Sequence, residues 1–405
     1  MTTLRVVVTG VGVVSPLGIG KEVFGRSIMS GLSGISRANL FDTDSFKSKT
    51  AGEVKDFNPE NIIGKEGLRV LDRSTKLLCC ALRLGLDDAK FLITDDNSRQ
   101  VGIAVGNTFG SLKSISDFDK VALIDGPKYV NPSIFPNTVI NAQVSQAAIR
   151  FNIKGFNVTI STGFTAGVDA IAYAANAIRL GRKKMVIAGG VEELSAQAYA
   201  GFYKAGCLAG SKEGGVELSC PFDARRNGLV LAEGAAVLIL EELTSARERG
   251  AKIYAEVKGS SNCFAPVALG LKVAMSEAVS RSDIGVNDVD CILAAANSTE
   301  YIDSAESSAI KGLFAERSKD IAVSSVKSII GESFSASGAM QAVSAIESIS
   351  AEMVPPTMNY SQSDLECNLK YVLGSAQRRS VDNVLINAAS REGFNASMVL
   401  SRLAG

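Results

Sequence analysis

The chain has 405 residues, of which 46% are hydrophobic and 21% charged, and its 42 Lys and Arg balance its 42 Asp and Glu. That length suits two fused halves better than a single core, and the charge balance gives no reason to expect a nucleic-acid partner. Histidine is absent, so any mechanism that rests on an imidazole base is excluded.

Arg5 to Val14 reads as a buried strand running into the turn Ser15-Pro-Leu-Gly18. Gly20 to Ser30 reads as an amphipathic helix and residues 31–68 as loop. Asp72 to Ala89 reads as a helix with Leu77, Leu78, Ala81, Leu82 and Leu84 inward. Val101 to Val105 is a predicted strand, Phe109 to Leu123 a helix, Pro127 to Pro136 irregular, and Thr138 to Phe151 an Ala-rich helix.

The stretch that organises the chain comes next. Val158 to Ile160 is β-branched and strand-like, Ser161, Thr162 and Gly163 turn, and Val168 to Leu180 is apolar on every side. A helix with no polar face is a buried helix. Residue 164 therefore sits where a strand hands over to a helix N-terminus, whose positive end stabilises an anion and favours a nucleophile. The residue there is Phe164, which can neither attack nor ionise. Gly181 ends the helix, Lys184 to Gly190 is a second buried strand, and Leu229 to Leu243 is strand-rich, most clearly from Val237 to Glu242.

Ile253 to Lys258 then restarts the N-terminal pattern. The half boundary is placed near Gly250, giving halves 1–250 and 251–405. Cys291 to Ala295 matches the strand at Val101, and Ala322 to Val326 leads through Gly331 into an Ala-rich helix, Ala336 to Ala351. That helix mirrors Ala166 to Leu180, each with an early glycine, Gly338 and Gly167; Asn383 to Asn387 mirrors Lys184 to Gly189. Two such halves, each with a buried central helix, predict layered α/β/α/β/α packing.

The cysteines, Cys79, Cys80, Cys207, Cys220, Cys263, Cys291 and Cys367, are odd in number and lack metal-ligand spacing. Reduced cytosolic thiols and no metal site are expected. Met1 to Arg5 shows no signal-peptide pattern and no apolar run reaches membrane-spanning length, so a cytoplasmic location with no membrane partner is expected. Gly10, Gly12 and Gly18 have the wrong spacing for a dinucleotide loop, and no cofactor is expected.

Five ordered motifs carry a resemblance over nearly the whole length: Val6 to Gly18, the elbow around Phe164, Pro221 to Ala235, Ser324 to Gly331, and Asn387 to Ser397. In these the chain resembles the β-ketoacyl synthases, condensing enzymes of the thiolase-like five-layered fold. The resemblance implies that Phe164 stands where the family carries its acyl-holding Cys. It puts Ala295 and Glu332 at the two His positions and retains Lys327, with Gln341 in place of the Glu that usually pairs with that Lys. It places the gating Phe at Ala389, so the Phe164 ring is expected to fill the volume lost there. A buried Lys327–Glu332 pair is expected to neutralise the lysine rather than catalyse. Asp223, Arg225, Arg226 and Glu233 are expected to be structural, and Cys207 and Cys263 small core residues.

An elbow without nucleophile or imidazole resembles, within this family, the chain length factor of type II polyketide synthases. That resemblance implies an obligate heterodimer with a ketosynthase alpha subunit. The partner acts on phosphopantetheine-bound chains of an acyl carrier protein, which docks mainly on the partner. The resemblance also assigns a substrate tunnel to the helix from Phe109 to Leu123, with Leu112, Ile115 and Asp119 on one face and Ser116 and Phe118 beside them. Two alternatives stay open: a homodimeric non-catalytic acyl-binding scaffold, and an enzyme of unusual mechanism using Cys263 or the Lys327–Glu332 pair.

Overall fold

The computed structural model describes residues 4–404. Ten strands build the body: β1 Val6–Ser15, β2 Val101–Gly106, β3 Asn157–Ile160, β4 Met185–Glu192, β5 Gly234–Glu242, β6 Ala255–Phe264, β7 Cys291–Leu293, β8 Ala322–Ser324, β9 Asn383–Ala389 and β10 Phe394–Ser401. The helices used below are α1 Lys21–Ser30, α2 Arg73–Asp88, α3 Leu112–Ile124, α4 Ala142–Arg150, α5 Ala166–Arg179, α6 Ala196–Lys204, α7 Val267–Ser280, α8 Glu300–Phe314 and α9 Ser335–Ala351.

The first half orders its strands β3-β2-β4-β5-β1 and the second β8-β7-β9-β10-β6. Adding five to each strand number of the first order yields the second. The directions repeat as well: β2 is parallel to β3 and β4, and β5 antiparallel to β4 and β1, while β7 is parallel to β8 and β9, and β10 antiparallel to β9 and β6. The two arrays touch edge to edge through Val7–Glu256 and Val8–Ala255. Gly250 lies in the segment between β5 and β6.

Most of these strands are buried along their length, with no alternation of buried and exposed residues. That pattern belongs to strands covered on both faces, and the helices supply the covers. α5 and α9 lie between the two sheets, in a core that joins Val8, Val186 and Leu238 of the first half to Leu293, Ile386 and Met398 of the second. α2 and α4 cover the first sheet from outside; α7 and α8 cover the second. The result is the five-layered thiolase-like α/β/α/β/α fold.

The two early glycines explain how the central helices approach so closely. A Cβ at Gly167 would lie 2.1 Å from Ser335 O at the start of α9, and one at Gly338 would lie 2.7 Å from Val168 of α5. Each helix thus uses its glycine to accept the other. α5 is less enclosed than its composition predicts. Tyr173 and Leu180 are exposed, because α5 lies beside the short edge strand β3, where Phe156 and Tyr173 pack edge to face at 5.8 Å.

Three predicted boundaries move. The helix expected from Phe109 starts at Leu112, because Ser111 is the N-cap and accepts from Ser114 N. The helix expected from Thr138 starts at Ala142, after a 3-10 turn over Pro132–Thr138 that holds two prolines. The predicted strand-rich stretch from Leu229 becomes regular only at Gly234, its first residues forming isolated bridges at Leu229 and Leu231.

Candidate functional site

Because α5 and α9 meet at their N-terminal ends, the two strand-to-helix elbows of the repeat face one another. In the first, Gly163 takes a left-handed φ of 65° and turns the chain from β3 through Gly163–Thr165 into α5. In the second, a short helical turn Lys327–Ile330 ends at Gly331, and the chain runs through Glu332 and Phe334 into α9. The residues just before the helices touch: the rings of Phe164 and Phe334 pack edge to face at 4.9 Å.

Phe334 gathers the rest of an aromatic cluster. Its ring lies 5.0 Å from Phe109 and 5.2 Å from Phe202. Its backbone has φ 48° and ψ −112°, a conformation costing a non-glycine residue about 1–3 kcal/mol. What holds it there is the Phe334 N–H, which donates to Glu332 Oε1 at 2.9 Å, together with the surrounding rings. Outside the cluster a cavity of about 570 Å³ opens to the surface. Phe109, Phe164, Phe202, Ile302 and Phe394 form its apolar walls, with Lys212, Glu300, Arg391 and Glu392 toward the outside.

Lys327 and Glu332 are both buried. Lys327 Nζ donates to Glu332 Oε2 at 2.8 Å and to Ala295 O at 2.9 Å. The carboxylate also accepts from Asn297 Nδ2 at 3.1 Å, Phe334 N at 2.9 Å and Ser337 Oγ at 2.7 Å. With its lone pairs so occupied and its charge matched, Glu332 holds the elbow's shape and carries no free base function. The expected neutralising pair is present. Gln341 makes no hydrogen bond to Lys327; its amide nitrogen donates to Ala294 O at 2.8 Å and to Leu293 O and Asn387 O.

Ala295 takes part through its backbone alone: its N–H donates to Glu306 Oε1 at 2.9 Å and its carbonyl accepts from Lys327. Glu306 also accepts from Ala296 N and Asn387 Nδ2, and Asp303 accepts from Asn297 N and Phe222 N. Burial pushes the Glu306 carboxyl up, and the Asp303 carboxyl up to about 7.

One expectation fails. Ala389 belongs to the outer cluster of the second half, with Phe222, Ala294 and Ala295, whereas Phe164 packs with Phe334 in a different cluster. The Phe164 ring therefore does not refill the volume at Ala389; strand alternation turns that side chain to the opposite face of the sheet.

The proposed tunnel helix stands apart from the aromatic cavity. None of Leu112, Ile115, Ser116, Phe118 and Asp119 lines it. The first four are half-buried and Asp119 is exposed; α3 buries no residue at all. Phe118 packs on Phe135 at 5.8 Å.

The other candidates fall into place structurally. Asp223 accepts from Arg225 and from the Ser361 and Gln362 N–H groups; although burial opposes it, these bonds hold its carboxyl well below the usual range. Arg226 pairs with Asp364, and Glu233 with Arg73. Cys207 lines the cavity and is half-buried, so it is not a core residue; its location on the loop after α6 leaves one side open. Cys263 is half-buried against Gly270 O at 3.3 Å, with burial raising its thiol pKa. Among the described residues no group of Cys, Asp and Glu could hold a metal ion, and no helix is long and apolar enough to cross a membrane.

Sequence reasoning did not single out Phe109, Phe202, Phe334, Asn297 or Glu192. Phe334 carries a signal: it is the one large residue in the run Ser333-Phe-Ser-Ala-Ser337.

Two sheets around paired central helices, with facing elbows at their N-termini, define a thiolase-like protein of the condensing-enzyme type. Residues 3–246 match the beta-ketoacyl synthase N-terminal domain and residues 249–361 the C-terminal domain, and the chain belongs to the β-ketoacyl synthase family. It is 33% identical over 412 residues to 3-oxoacyl-[acyl-carrier-protein] synthase 2 of Coxiella burnetii, covering 100% of both chains. It is 34% identical over 407 residues to the Synechocystis enzyme of the same name, covering 98% of each. Among solved structures it resembles the ishigamide ketosynthase/chain length factor, with TM-score 0.92, 30% identity and 100% of both chains covered. It also resembles a chain of a type II PKS acyl-carrier protein in complex with its ketosynthase bound to the hexaketide, with TM-score 0.90, 26% identity, and 99% and 100% covered.

Proposed function

We propose that this chain is the non-catalytic subunit of a ketosynthase/chain length factor pair. The observation that carries the reading is the phenyl ring at the elbow, Phe164, in a chain without histidine. Condensation needs a nucleophile to hold the acyl chain and donors to stabilise the enolate that forms on decarboxylation. Here Phe164, the backbone of Ala295 and the saturated carboxylate of Glu332 stand at those positions. The partner, a Cys-bearing ketosynthase alpha subunit, supplies the chemistry and most of the docking surface for the acyl carrier protein, whose phosphopantetheine-bound chain grows across the interface.

The surface around β3 supports a partner. β3 is an edge strand, paired only with β2 among the described strands. In the chain segment between β2 and β3, Leu123, Ile124, Phe135, Ile140 and Ile149 are 85%, 71%, 56%, 42% and 75% exposed. Apolar exposure on this scale marks an interaction face, and obligate interfaces of the kind proposed bury about 2,000 Å² or more. None of Leu112, Ile115, Ser116, Phe118 and Asp119 lines the aromatic cavity, so the growing chain meets α3 only in the assembled pair.

The test is co-expression with a Cys-bearing ketosynthase. A one-to-one complex is expected, with condensation abolished when the partner's Cys is replaced. The open cavity of about 570 Å³ beside Phe164 favours a second reading, a homodimeric acyl-binding scaffold. A stable homodimer that ignores the ketosynthase and binds acyl chains alone would establish that reading instead.

A further inference from the structure

Behind the cavity wall lies a carboxyl group with an unusual set of neighbours. Glu192, the last residue of β4, is fully buried. Its Oε1 accepts from Phe109 N at 3.1 Å and its Oε2 from Thr108 N at 3.0 Å. Oε2 also lies 2.7 Å from Ser335 Oγ, and that same hydroxyl lies 2.6 Å from Val191 O. A serine hydroxyl has one hydrogen. Val191 O is a carbonyl and cannot donate, and neither can an ionised carboxylate, so the one Ser335 hydrogen serves only one of the two contacts. Both short contacts are hydrogen bonds at once only if Glu192 supplies a second proton.

The charged groups on the surrounding elements are engaged elsewhere. Glu193, pointing to the other face of β4, accepts from Ser111 Oγ and Ser74 N. Asp72 caps α2 through Thr75 N, Arg73 pairs with Glu233, and Lys327 pairs with Glu332. Among the described residues no charged side chain hydrogen-bonds to Glu192. Full burial, with no cation in contact, pushes its carboxyl up to about 7.

Two of the three residues that Glu192 binds belong to the cavity. Thr108 and Phe109 line it, Thr108 Oγ1 donates to Gly163 O at 3.1 Å beside Phe164, and Ser335 is the first residue of α9, next to Phe334. We infer that Glu192 is a neutral acid that donates to Ser335 and, as a positioning residue, clamps the Thr108–Phe109 turn to the start of α9, so that its ionisation loosens the Phe109 wall of the cavity from Phe334 behind it. This goes beyond the subunit role proposed above and holds whether or not a ketosynthase partner exists.

The chain has no tryptophan, so Phe109→Trp installs a single fluorescent reporter in the wall. Its emission is expected to change with pH around a midpoint of about 7, and Glu192→Gln in the same background is expected to abolish the change. Ser335→Ala separates the two possible proton positions. If Glu192 donates, removing its acceptor destabilises the neutral form and the midpoint falls. If instead Ser335 donates to an ionised Glu192, removing the donor raises the midpoint, and the inference is overturned. It is equally overturned by a flat reporter, or by a transition that survives Glu192→Gln. Should Glu192→Gln not fold, the direction of the Ser335→Ala shift decides alone.

Discussion

Glu332→Gln isolates the buried ion pair at the second elbow. The substitution keeps the shape of the side chain and removes its charge. Lys327, only 1% exposed, is then left with a carbonyl and an amide in place of a carboxylate. Removing one partner of a buried pair costs about 3–5 kcal/mol, because the remaining charge is stranded. Four donors converge on Glu332, and a neutral amide can no longer accept all of them, which puts the loss toward the upper end. Lys327→Met combined with Glu332→Gln removes both charges, and most of the loss is expected to return, a coupling of at least about 2 kcal/mol in a double-mutant cycle. The assay is urea unfolding followed by circular dichroism, with the slope m compared between variants to confirm that the transition itself is unchanged. A Glu332→Gln loss below about 1 kcal/mol, or a double variant no better than the single, would falsify the claim that Glu332 exists to neutralise Lys327.

Phe164→Cys is expected to restore no condensation in the isolated chain, since the thiol gains no base or enolate donor; a new carbon–carbon bond from acyl and malonyl carrier substrates would refute this. In the reconstituted pair, Ser116→Phe is expected to shorten the released chains and Leu112→Ala to lengthen them, read by mass spectrometry. Because Leu112 is only half-buried, its truncation should cost less than the about 2–5 kcal/mol of a core leucine; altered yield with unaltered chain length would show that α3 plays no part in length control. Glu192, Glu193 and Asp303, each with its carboxyl pushed up to about 7 by burial, bind more protons in the folded than in the unfolded chain at mildly acid pH. Their stabilisation is full below the ordinary carboxylate range and is lost as pH rises through about 7. Unfolding midpoints should therefore fall across this interval, and a rise there would contradict the assignment.

Much of the frame was legible because it rests on local pattern. The β-branched run, the glycine turn and the Ala-rich stretch around Phe164 specify strand, elbow and helix by themselves, and the paired glycines Gly167 and Gly338 marked the repeat. Glu332 was legible as the partner of Lys327 because a buried lysine requires a counter-charge and Glu332 follows it five residues on, just past the turn. What escaped depends on contacts between the halves. Nothing near Phe164 in sequence announces that Phe334 will meet it, since that contact follows from how α5 and α9 cross. The pairing of Ala389 with Phe164 failed for a related reason. Which face of β9 a residue occupies is fixed by strand register, and one residue's difference sends the side chain into another layer. Glu192 was hidden because its partners, Thr108, Phe109 and Ser335, come from two distant segments.

The repeat is not symmetrical at its ends. The outer side of β8 is already taken: Val323 N donates to Lys370 O and Val372 N to Val323 O, so a return segment of the same chain lies along it. The equivalent side of β3 has no such cover among the described residues. A sheet with both margins open can add copies indefinitely, as fibrils do. One with a single open margin stops after one addition, because the newcomer's other margin is stoppered too. Under the pairing proposed above, sheet extension through β3 stops at two, because the intrachain cap on β8 closes the other margin of each copy.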